Sequence, residues 1–261
     1  MTSNYLNITR SIEALDKLIQ ADRLAAIAFA EVAFNQAVTA AVHNISEIAL
    51  ICNTRIQADS QIAIAKLSSS VEICATELLA HVERSALIIQ QRQGLILDDQ
   101  ETVSSMVMEI GRSSKLTISD TAASTIQAIK NQAEDAIKEI AHNSQKAISE
   151  IQALSKEVTM SIREQAAIAA ERLEDAKKTV RTPENVVAEA EAATNLVLDH
   201  SKEALKKLDE RANEGLAELN RCVEISTSSL QEVVEAAETR IIELRDVASN
   251  SIEDLIRPPP N

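Results

Sequence analysis

The stretch Ile45–Leu67, ISEIALICNTRIQADSQIAIAKL, places Ile45, Ile56 and Leu67 eleven residues apart. Outward from it the same spacing runs through Phe34, Ile45, Ile56, Leu67, Leu78 and Ile89. Four residues after successive members come Val38, Ala49, Ser60, Val71 and Val82; seven after come Ala41, Cys52, Ala63, Cys74 and Ser85. Three helical turns per eleven residues set those offsets about 33° either side of the series. The result is one stripe, large at its centre and small at its flanks.

Two further series repeat the pattern. Ile118, Ile129, Ile140, Ile151, Ile162 and Leu173 form one, and Val186, Val197, Leu208, Leu219, Leu230, Ile241 and Ile252 form the other. An eleven-residue (hendecad) repeat averages about 3.67 residues per turn and keeps one stripe on one side of a long, nearly straight or slightly right-handed helix. The stripe predicts an all-α protein of very long helices, a coiled-coil or helical-bundle rod. Each Ile or Leu taken out of water contributes about 1.5–3 kcal/mol. A stripe on an isolated helix buries nothing, so it must meet another helix, from a second copy or from the same chain folded back.

Composition agrees. The 261 residues include no Trp, one Tyr, two Phe, three Gly and four Pro, too few turn formers for a globule of many short elements. Hydrophobic residues make up 45%, regularly spaced, which argues for order in a chain of net charge −14. That charge repels nucleic acid and anionic lipid.

The N-terminus, MTSNYLNITRSIEALDKL, lacks an apolar signal core. The most apolar window, LAAIAFAEVAFNQAVTAAV, is interrupted by Glu31, Asn35 and Gln36, so no spanning helix and no membrane partner is expected. A cytoplasmic location follows as the expectation.

Breaks in the period suggest the segments. Between Ile89 and Ile118 the spacing becomes seven, through Ile96, Val103 and Ile110, with Gly94 and Gly111 nearby and an Asp98/Glu101 capping pattern. A continuous but softened helix is favoured there over a turn. Leu173 to Val186 is thirteen residues and contains RTPEN. Thr182 suits an N-cap and Pro183 a first helical position, predicting a kink or turn near Pro183. The expected organisation is an assembly region over 1–97, a hendecad helix over 98–182, another over 183–257 and an extended Pro-rich tail over 258–261. Segments of similar length also allow a folded three-helix bundle.

The N-terminal third carries a second, lateral stripe: Phe29, Ala40, Ile51, Ile62 and Ile73, again eleven apart and about 130° from the first. A helix apolar on two sides packs against more than one neighbour. Residues 1–100 hold 7 basic and 11 acidic side chains, against 19 and 29 in residues 101–261, so the remainder reads as a more solvated rod.

No catalytic, cofactor or metal site emerges. His43, His81, His142 and His200 are scattered, and Cys52, Cys74 and Cys222 sit where small apolar residues recur. Asp98–Asp99 reads as a cap or a solvated face. There is no phosphate-binding glycine loop or nucleophile elbow. The expected role is a structural, self-assembling coiled-coil protein forming a filament or fibre-like scaffold, its main partner itself. Two alternatives are an amphipathic coat on a lipid or granule surface and a cytoplasmic adaptor binding other coiled-coil proteins. Eleven-residue amphipathic repeats also resemble those of apolipoprotein-like and granule-associated helical proteins, in period only. Against that coat stand the acidic charge and the scarcity of aromatics.

Overall fold

The computed structural model describes residues 2–93, 100–179 and 184–257. They form three helices: α1 (Thr2–Gln93), α2 (Gln100–Thr179) and α3 (Glu184–Ile256). No strand occurs among the described residues. The elements are long because the interior of each is nearly free of helix breakers: Gly111 and Gly215 are the glycines inside them, and both hold ordinary helical backbone. The Gly94 and Asp98 features, Thr182, Pro183 and the tail from Pro258 lie outside the described residues. From Gln100 through Gly111 the chain is helical.

Packing groups the chain into two compact units, each taking a piece of all three helices. The first unit comprises Met1–Cys52 with Gln145–Asn220; the second comprises Asn53–Ser144 with Arg221–Asn261.

In the first unit the core gathers Ala30, Phe34 and Val38 of α1, Ile162, Ala166 and Leu173 of α2, and Ala193, Val197 and Ala204 of α3. Bulky and small side chains share this cluster, which is how layers interdigitate at interior density. Further along, a β-carbon built at Gly215 of α3 would stand 3.3 Å from Ile45 Cγ2, with Ala49 Cβ and Ile151 Cδ1 each at 3.9 Å. Gly215 therefore serves by its lack of a side chain. It lets α3 approach α1 where Ile45 projects. Gly215→Val should lower stability by about 1–3 kcal/mol through overpacking, outweighing the gain in helix propensity. Urea denaturation followed by circular dichroism measures it.

In the second unit α1 and α2 run antiparallel. The Ser85 and Ser114 hydroxyls meet at 2.7 Å, and Asn143 Nδ2 donates to Asp59 Oδ2 at 3.1 Å. Ser85 is buried yet satisfied, because its hydroxyl also reaches the His81 carbonyl one turn back at 2.8 Å. α2 and α3 are antiparallel too: Lys115 pairs with Glu253, and Lys130 Nζ lies 3.0 Å from Glu238 Oε1. Lys115 donates a hydrogen bond to Glu253, and that bond, aided by its charge, holds the Glu253 carboxyl below the usual glutamate range. The Cys222 thiol of α3 lies 3.9 Å from the Asn53 carbonyl of α1. At Gly111 of α2 the Ile252 and Ile256 side chains of α3 close over the bare backbone.

Candidate interaction face on the first helix

Burial separates the apolar side chains into two sets. Phe34, Ile45, Ile56, Leu67, Leu78 and Ile89 of α1 are buried, as are Ile118, Ile129, Ile140, Ile151, Ile162 and Leu173 of α2. So are Val197, Leu208, Leu219, Leu230, Ile241 and Ile252 of α3; the Val186 side chain lies outside the described residues. Within each unit these residues make the interior of the chain itself.

Among the described residues nothing covers the second stripe. Phe29 is 66% exposed and Ile51 61% in the first unit; Ile62 is 54% exposed and Ile73 57% in the second. Ala40 is exposed as well. Among the described residues α1 also shows Leu24, Val32, Leu50, Leu79, Leu87 and Ile88 to solvent. The exposed large apolar residues of α2 (Met106, Met108, Leu116, Met160, Ile168) form no such run, whereas α3, beside Leu196, Leu198 and Ile242, has a shorter one, with Ile225 and Val247 each eleven residues from exposed Ala236. Isolated exposed aliphatics are ordinary, whereas a recurring row on one helix marks a contact surface.

Helix geometry explains why the α1 row stays at the surface. One side of α1 is committed to the interior, and the lateral series sits about 130° around the barrel of the helix, too far to reach the same neighbours. Near Ile51 the row is edged by exposed Glu47 and by Arg55, whose side chain is 61% exposed and stands 3.9 Å from Asp59. In contrast, α2 and α3 carry several charged pairs on their outer surfaces, such as Lys138–Asp135 at 3.4 Å on α2 and Lys207–Glu203 at 2.9 Å on α3. The Lys207 hydrogen bond and charge lower the Glu203 pKa.

α1 also contains, within Arg23–Arg92, a window of mean hydropathy 1.4 that is long and apolar enough to cross a membrane by length and composition; 24% of that window is buried.

Other chemistry is sparse. No group of three or more His, Cys, Asp or Glu that could hold a metal ion occurs among the described residues. His43 and His142 are exposed, while His81 and His200 are half-buried on separate helices. Cys52 and Cys74 are buried and Cys222 is half-buried. A shallow groove in the second unit, between α1 and α2, is lined by Asp59, Lys66, Asp135 and Glu139 around Ile62.

Gly215 was the position that sequence reading passed over. Its signal was available: it lies seven residues after Leu208, at a small-residue flank of the third series.

No protein-family profile matches the chain, and no curated protein matches it. A solved structure described as a "Computationally designed three helix bundle" aligns with 94% of this chain and 100% of its own, at 14% identity and a TM-score of 0.58. The fold is an all-α helical bundle. That likeness concerns the fold alone, so the role of the bundle has to be argued from its surface.

Proposed function

We propose that the protein is a structural, self-assembling helical-bundle subunit of a filament or fibre-like cytoplasmic scaffold. The exposed row Phe29, Ile51, Ile62 and Ile73 on α1 carries the reading. An exposed apolar row is driven to exclude water by joining another surface. The hendecad spacing suits a helical partner, because a stripe that stays on one side over many turns lies along a second helix without drifting. In this reading the inner stripes close the subunit, a chain reversal near Pro183 sets α3 beside α2, and the lateral stripe of α1 joins subunits.

Purified protein should form large assemblies in analytical ultracentrifugation and elongated particles in negative-stain microscopy. Ile51→Lys with Ile62→Lys should reduce them to small species of unchanged helicity. A parent protein that sediments as a monomer at all accessible concentrations would refute the proposal.

The apolar window of α1 supports a second reading, in which the same row lies on a lipid or granule surface. Flotation with liposomes by a protein that does not self-associate would favour it.

A further inference from the structure

We infer that Ile62 and Ile73 on α1 of one copy dock antiparallel onto the row Ile225, Ala236 and Val247 on α3 of the next copy. This docking rests on the self-assembly reading above and names the surface that receives its row. Both rows lie in the second unit, Asn53–Ser144 with Arg221–Asn261.

The two rows hold the same place on their helices. Ile62 and Ile73 come five residues before buried Leu67 and Leu78; Ile225, Ala236 and Val247 come five before buried Leu230, Ile241 and Ile252. All five are exposed. On α2 the corresponding positions before Ile129 and Ile140 hold Ser124 and Asp135, so that helix continues neither row. Ala236 also makes a seat. Its small side chain leaves a shallow hollow on α3, rimmed by Glu232, Glu235, Thr239, Arg240 and Glu243.

Charge selects the register. Ile62 set antiparallel into that hollow brings Ile73 against Ile225. Lys66, four residues after Ile62, then faces Glu232, four before Ala236. Arg55, seven before Ile62, faces Glu243, seven after Ala236, and Glu77 faces Arg221 in the same way. Each of these charges meets its opposite. Lys66, Glu77, Arg221 and Glu232 are exposed and make no ion pair among the described residues. Arg55 and Glu243 are tied to neighbours on their own helices, Asp59 at 3.9 Å and Arg240 at 3.2 Å, in surface pairs that are cheap to exchange.

Other registers are poorer. Antiparallel docking with Ile62 on Val247 sets Glu77 against Glu232, and with Ile62 on Ile225 it sets Lys66 against Arg221; like charges repel. Parallel docking with Ile62 on Ala236 sets Lys66 against Arg240. Parallel docking with Ile62 on Ile225 buries Arg84 against Val247.

The rows that meet are different, so the contact is heterologous. Within the second unit α1 and α3 both run antiparallel to α2 and hence parallel to each other. Equivalent positions on them point about a third of a turn apart around the bundle. Antiparallel docking requires a half-turn between neighbours, and the divergence of the two rows adds a sideways shift to it. Repetition gives an open ribbon of alternately inverted subunits, whereas two α1 rows docked about a two-fold axis would close at a dimer.

Charge reversals test the register in the otherwise unaltered full-length chain. Lys66→Glu and Glu232→Lys should each raise the concentration needed for assembly about tenfold in sedimentation, and the double reversal should restore it to within about threefold. Single reversals without effect would overturn the inference. Mixing tests the two-row contact. Ile73→Lys and Ile225→Glu, with parental helicity, should each stay unassembled alone and form one-to-one dimers when combined, because each keeps the row that the other lacks. Assembly of Ile225→Glu alone to parental size overturns the inference while leaving self-assembly intact. Cross-linking reads polarity, using a background in which Cys52, Cys74 and Cys222 are replaced by Ala and assembly persists. Under copper–phenanthroline and dissolved oxygen, Ile73→Cys should couple to Ile225→Cys and not to itself. Coupling of Ile62→Cys to Ile225→Cys instead would show parallel docking or the shifted antiparallel register, and either overturns the inference. Absence of association in the parent protein overturns the self-assembly reading itself.

Discussion

Phe34→Ala should cost about 3–5 kcal/mol of unfolding free energy, whereas Phe29→Ala should stay within about 0.5 kcal/mol. The residues are five apart on the same helix, and the chemistry removed is identical. Their surroundings differ. Phe34 is 2% exposed among Val38, Ile162, Ala166, Val197 and Ala204, so truncation leaves a cavity bounded by all three helices. Phe29 faces solvent, and its loss leaves no void. Urea denaturation under conditions that keep the protein dissociated gives both values. Equal effects would mean that α1 is seated on a different face in solution. The prediction also separates the inner stripe from the lateral one. Phe29→Ala should register in assembly measurements and Phe34→Ala chiefly in folding measurements.

Ile241→Asp should abolish cooperative thermal unfolding near physiological pH, while Ile242→Asp should leave it nearly unchanged. These two isoleucines are adjacent in sequence and opposite in burial: Ile241 is fully enclosed and Ile242 is 40% exposed. A carboxylate at 241 must either lose its hydration without a counter-charge or force α3 away from its neighbours. Either outcome costs several kcal/mol, a large share of a typical domain's 5–15 kcal/mol. At 242 the same group remains in water. Circular dichroism melts, with amide exchange across Arg221–Ile256, check the contrast. A cooperative Ile241→Asp protein would place that side chain outside the interior.

Helical class was legible in the sequence for a physical reason. Two interior glycines and no interior proline over three long segments leave few places to end an element, and the aliphatic spacing matches three helical turns. Periodicity says which side of a helix wants cover. It does not say whose surface supplies it, because a neighbour from the same chain and one from another copy satisfy the same hydrophobic demand. Ile129 and Ile151 illustrate the point: their spacing would be the same in an extended rod, yet both are enclosed by the folded chain. Close approach is harder still to read. Gly215 looks like any helix-weakening glycine until Ile45 is found against it. The lateral row is legible as a row, and its exposure shows that nothing among the described residues covers it.

The way the units draw on the sequence bears on biosynthesis. The first unit joins Met1–Cys52 to a stretch ending at Asn220, and the second needs residues beyond Arg221. Neither can close while the ribosome is still translating α2. At about 5–20 residues per second, α1 waits on the order of ten seconds for its distant partners. Until α2 emerges both of its aliphatic rows are bare, and long-range closure of this kind is slow. Nascent chains emerging side by side on one messenger would therefore present α1 to one another before either had finished folding. Shielding by a chaperone during translation would decide how many copies reach the native state alone.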